Sequence, residues 1–115
     1  MKTLGKTALV GMLAAGPALA GAAALNDYPT AARADYVFAC MASNGQTSAM
    51  LERCSCSIDT IAAILPYEAY VNAETVIRTL QLTGERTGAL RASERHKAMV
   101  ADLRRAQAEA DIVCF

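Results

Sequence analysis

Apolar positions recur at intervals of three and four along most of the chain, and no segment alternates with the period of two that marks a half-buried strand. Leu51, Cys54, Ile58, Ile61 and Leu65 form the clearest stripe, on a helix that begins near Thr47 or Ser48. An earlier helix is expected from a start at Asp27, Pro29 and Thr30 to about Ser43, with Tyr36, Val37, Cys40 and Met41 as its inner face. Between them SNGQT, Ser43 to Thr47, is a polar turn in which Asn44 and Gly45 tolerate a left-handed backbone.

Pro66 stops the second helix after Leu65, because the residue before a proline avoids helical dihedrals, and it can open the next. In the third helix Tyr67, Tyr70 or Val71, Val76 or Ile77, and Leu80 are expected inward, with Glu68, Glu74 and Arg78 outward. Glu74 and Arg78 stand at i,i+4 in the favourable order. TGERTG, Thr83 to Gly88, reads as a loop. A fourth helix is then expected from about Ala89 to Cys114, with Val100, Leu103, Gln107, Ala110 and Cys114 on one stripe. Its other positions mix acidic and basic residues, the signature of a solvated face. The pattern predicts an all-α protein, a small four-helix irregular or up-down bundle stapled by two disulfides.

The N-terminal stretch has a different character. MKTLGKTALVGMLAAGPALA carries Lys2 and Lys6, an apolar run from about Thr7 to Gly16, and the small-residue ending Ala18, Leu19 and Ala20. This is the layout of a secretory signal peptide, and its apolar span of about 13 residues falls short of the roughly 20 that cross a bilayer. Residues 1–20 are therefore expected to be cleaved, 21–28 to form a flexible leader, and 29–115 to fold as one helical domain. Cleavage at Ala22 or Ala24 is a second frame. No later segment is apolar enough to span a membrane, so none is expected to contact one after the signal is removed.

Losing the two leader lysines leaves the retained chain with a net charge of about −2, His96 being neutral. No basic stripe remains to bind nucleic acid. Periplasmic or secreted localisation is expected.

Four cysteines, Cys40, Cys54, Cys56 and Cys114, remain in a short exported chain, which points to a disulfide framework. Residues two apart on a helix differ by about 200° around its axis, so Cys54 and Cys56 face different neighbours. With the turn at SNGQT, Cys54 lies nearer than Cys56 to the level of Cys40. The expected pairs are Cys40 with Cys54 and Cys56 with Cys114, the second pinning a terminus that would otherwise fray. Two sharper readings compete. One is a strained, redox-active Cys54–Cys56 bond. The other is Cu(I) held by the thiolates of Cys54 and Cys56 with Met41, Met50 or Met99 nearby. Zinc spacing and the haem-attachment motif are missing, and no cofactor is implied.

His96 with a nearby carboxylate would be the only ready acid-base pair, but a lone histidine in a charged helix is ordinarily solvated. Nucleophile motifs and phosphate-cradling glycine loops are missing, so the chain is not expected to be an enzyme. The segment from Asp35 to Val76, and ERCSCSID within it, resembles small periplasmic cysteine-containing helical proteins of proteobacteria. Some of these are encoded beside quinoprotein alcohol dehydrogenases and their cytochromes. The resemblance implies a periplasmic accessory or binding protein partnering such a dehydrogenase or cytochrome. The alternative is a thiol-redox or Cu(I)-handling protein using Cys54 and Cys56.

Overall fold

A computed structural model describes residues 27–82 and 86–115. They form α1 (Thr30–Asn44), α2 (Ser48–Ile64), α3 (Tyr67–Leu80), α4 (Arg86–Ala92) and α5 (Glu94–Cys114), and no strand occurs among the described residues. The expected signal peptide and residues 21–26 of the expected leader lie outside the described residues.

Local chemistry sets most boundaries. Gly45, at φ 115°, ends α1 and donates its backbone N–H to the Met41 carbonyl. Two residues on, Thr47 caps α2 by accepting a hydrogen bond from the Met50 N–H at 3.1 Å. Leu65 takes an extended conformation before Pro66 and closes α2, as a pre-proline residue should. Pro66 brings no capping side chain to α3, and Asp27 supplies one from 40 residues away, its carboxylate accepting from the Tyr67 N–H at 3.1 Å.

The expected fourth helix is two helices. Ser93 has an extended backbone, and its hydroxyl accepts the His96 N–H at 3.4 Å, which starts α5 afresh and leaves α4 as a separate short helix. A serine competes with helix continuation by capping the next turn. The break lets α4 turn towards α3, where Arg91 donates to the Leu80 carbonyl at 2.8 Å and satisfies the end of α3. The expected loop also shortens, since Arg86 to Gly88 belong to α4.

The core lies where α2 and α3 meet α5. Ile58 and Ile61 from α2, Leu65 just after it, Ala73 from α3, and Leu103, Ala106 and Ala110 from α5 are buried together with Tyr28. Each fully buried large aliphatic contributes about 1.5–3 kcal/mol, and the three alanines let the helix axes approach closely.

Two expectations about burial fail. Leu51 is exposed although it lies on the α2 stripe, because it precedes by more than one helical turn the level of Cys56, where the last turn of α5 is bonded to α2. Tyr28, assigned to the leader, is 5 % exposed, and its hydroxyl donates to the Leu65 carbonyl at 2.7 Å. Its ring lies 5.1 Å from that of Tyr67 and 5.2 Å from that of Tyr70. The ordered domain thus includes Asp27 and Tyr28.

Candidate functional site: the cleft between α1 and α3

The helical hairpin of α1 and α2 is tied at three successive levels. Arg33 meets Asp59 at 2.5 Å, Tyr36 and Ser57 share a hydrogen bond at 2.8 Å, and Cys40 is joined to Cys54 with Cα atoms 5.9 Å apart. Asp59 on α2 is thus the ion-pair partner of α1. On the opposite side of α2, Cys56 is joined to Cys114, with Cα atoms 5.8 Å apart. The Thr60 hydroxyl lies 3.6 Å from the Cys114 sulfur.

The angle of about 200° between positions two apart on a helix explains why CSC serves two partners: Cys54 turns to α1 and Cys56 to α5. No Cys54–Cys56 bond forms. Cys54 is wholly buried, and both sulfurs of the Cu(I) alternative are committed to disulfides in this state. Met41 and Met50 are half-buried on α1 and α2, while Met99 packs against the core.

Because α1 packs on α2 and α3 packs on α5, a cleft of about 540 Å³ opens between α1 and α3. Its α1 wall carries Asp35, Tyr36 and Cys40, and its α3 wall carries Tyr70, Glu74 and Arg78. Ser57 reaches it from α2, and Asp111 and Phe115 from the end of α5. A second hollow of about 340 Å³ continues from it towards Pro29 and shares Asp35, Tyr70, Glu74 and Arg78.

Three carboxylates and one guanidinium line this cleft, and that guanidinium is partly neutralised by Glu74 at 3.7 Å on the same helix, the i,i+4 pair expected from the sequence. The field is visible in Tyr70. Its phenol is pushed up to about 12, first by burial and then by the charges of Glu74, Tyr36 and Asp35. Burial likewise raises the Tyr28 phenol, with Tyr70, Asp27 and Tyr67 adding to it.

His96 departs from its expected solvation. It is half-buried where α3, α4 and α5 meet, with an enclosed Nδ1 that has no partner among the described residues. Among the described residues, no carboxylate lines either hollow beside it. Among the described residues, no group of three or more His, Cys, Asp or Glu is placed to hold a metal ion, and no helix is long and apolar enough to cross a membrane.

Sequence periodicity identified the cysteines but not the cleft. Tyr36, Ser57 and Tyr70 come from three helices, and only packing brings them together. The available signal was weak: a serine on the core side of α2, at the level where Tyr36 of α1 would arrive. Compared with protein-family models, curated proteins and solved structures, the chain matches none.

Proposed function

We propose that this is an exported, disulfide-stapled helical accessory protein that binds a periplasmic partner, a quinoprotein dehydrogenase or its cytochrome. The observation that carries the reading is the last turn of α5. There Ile112 is 80 % exposed, Val113 60 % and Phe115 51 %, while Cys114 between them is bonded to α2. Exposed apolar groups clustered on one turn are the usual material of an interface. A crosslink that fixes such a turn beforehand lowers the ordering cost of binding.

Further support comes from the resemblance of Asp35 to Val76 to periplasmic proteins encoded beside such dehydrogenases. The two disulfides also fit an oxidising compartment. The partner is recognised through shape and apolar contact at a rigid tip, and the accessory contributes no reactive thiol to the encounter.

Surface plasmon resonance between the oxidised protein and the dehydrogenase–cytochrome pair of its own periplasm tests the reading. Association is expected, with the Ile112→Glu, Val113→Glu double variant weakening it at least tenfold while circular dichroism stays unchanged. Both positions are exposed, so the fold tolerates the charges. Lack of association, or equal affinity of the variant, overturns the proposal.

A further inference from the structure

The two hollows beside His96, where α3, α4 and α5 meet, differ in character. The smaller, of about 270 Å³, presents a mostly apolar surface built on Val76, Leu80, Leu90 and Val100. The larger, of about 350 Å³, adds the polar groups of Asn72 and Arg95. Val76, Leu90 and His96 belong to both, so His96 stands where the apolar surface gives way to the polar one. An apolar recess with a few polar groups converging at one end is the usual form of a small-ligand site.

His96 is also the residue whose bonding is incomplete. Its Nδ1 is enclosed and has no partner among the described residues, and a polar atom withdrawn from water without a partner is unfavourable. A half-turn of the imidazole about Cβ–Cγ exchanges Nδ1 with a ring carbon and carries it to the edge that lines the hollow. A ligand oxygen there would accept its proton and complete the bonding.

The charges select the ligand's head. Arg91, Arg95 and Lys97 border the hollows, and no carboxylate does among the described residues. Lys97 is matched by Glu94 at 2.7 Å. Arg95 forms no ion pair among the described residues, and Arg91 donates to the neutral Leu80 carbonyl at 2.8 Å, which leaves its charge unmatched. An anion is therefore favoured and a cation repelled. A carboxylate fits the planar fork of a guanidinium, and the apolar hollow next to it suits an aliphatic chain.

We propose that the hollow between α3, α4 and α5 binds an aliphatic monocarboxylate, its chain along Val76, Leu80, Leu90 and Val100 and its head at His96 and Arg95. The turn of Ile112, Val113 and Phe115 lines neither hollow. A titration without any partner protein tests the site alone, so this proposal and the docking proposal can fail independently.

Octanoate, octan-1-ol and octylammonium are the probes, because they share a chain and differ in the head. Calorimetry on the oxidised protein is expected to show saturable octanoate binding, octan-1-ol weaker by about tenfold, the low end for a charge-assisted hydrogen bond, and octylammonium weaker still. From butanoate to octanoate the affinity should rise by up to about fourfold per methylene, the value of a buried CH₂. The chain has one histidine, so the imidazole ¹⁵N resonances belong to His96, and octanoate should shift them. Arg95 is exposed, and Arg95→Gln should weaken octanoate about tenfold while leaving octan-1-ol unchanged. The Ile112→Glu, Val113→Glu variant should bind octanoate as the parent does. The proposal is overturned by lack of saturable octanoate binding, by equal affinity for octylammonium, by affinity that ignores chain length, by unmoved His96 resonances, by octanoate affinity that survives Arg95→Gln intact, or by its loss in the variant of the apolar turn.

Discussion

Helix α1 and helix α5 are held to the same neighbour, α2, by different physics. α1 has no buried residue at all, and it is fastened by an ion pair, a hydroxyl pair and a disulfide. α5 buries Leu103, Ala106 and Ala110 completely, and its disulfide comes in addition to that packing. A crosslink therefore substitutes for burial on one side of α2 and reinforces burial on the other. The cleft exists because of the difference: a helix held by discrete links need not close against α3.

The largest effect should come from opening the reinforced side. Replacing Cys56 and Cys114 together by serine removes a closure of 58 residues, worth about 4 kcal/mol in the chain-entropy model. Because α5 carries the core, the loss should be global, seen as one cooperative denaturant transition shifted to lower midpoint. Preserved stability in the variant would mean that burial alone holds α5.

Opening the other side should cost less and act locally. Cys40→Ala with Cys54→Ala removes a closure of 14 residues, worth about 3 kcal/mol at most in the same model. Hydrogen exchange is expected to speed up through α1 while the central amides of α2 and α5 stay protected. Uniform acceleration across all helices would erase the distinction between the two attachments.

A smaller effect probes where the domain begins. Asp27→Ala deprives α3 of the carboxylate that accepts from the Tyr67 N–H, which should cost about 1 kcal/mol, the usual value of an N-cap. Thermal unfolding measures it. An unchanged melting temperature would return Asp27 to the leader to which the sequence had assigned it.

What was legible follows the same division. The stripe of Cys54, Ile58, Ile61 and Leu65 could be read because large apolar residues at helical spacing announce a buried face. The disulfide pairs followed from helical angle and the position of the turn. Ala110 was read on the stripe of the last helix, but Ala73 and Ala106 were missed because a methyl group carries little hydrophobic signal, although it decides how closely helices approach. Tyr28 was missed because its partners lie on α3 and at the end of α2, so no local period marks it. Ser93 did leave a signal, a capping serine followed by Glu94 in the first turn, which the charged run around it obscured. The cleft depends on α1 and α3 standing apart, a relation no linear pattern encodes.

The effect that vanishes at neutral pH is nevertheless the sharpest test of α1 as a removable wall. Tyr70 is raised from 10.0 to about 12, by burial first and then by Glu74, Tyr36 and Asp35. A phenol that keeps its proton longer when folded contributes fully below its unfolded value. That contribution is lost as pH climbs from about 10 towards 12, because the unfolded chain ionises first. Stability should thus fall over this window, and Tyr70→Phe should flatten the fall. Of the neighbours whose charge raises Tyr70, Tyr36 and Asp35 stand on α1, whereas Glu74 stands on α3 beside it together with Arg78, which lowers it. Freeing α1 with the Cys40→Ala, Cys54→Ala pair should therefore lower the Tyr70 transition in a phenolate absorbance titration without returning it to the free value, since the α3 carboxylate and part of the burial remain. A transition that does not move would show that α1 stays in place without its disulfide, held by the Arg33 and Tyr36 contacts alone.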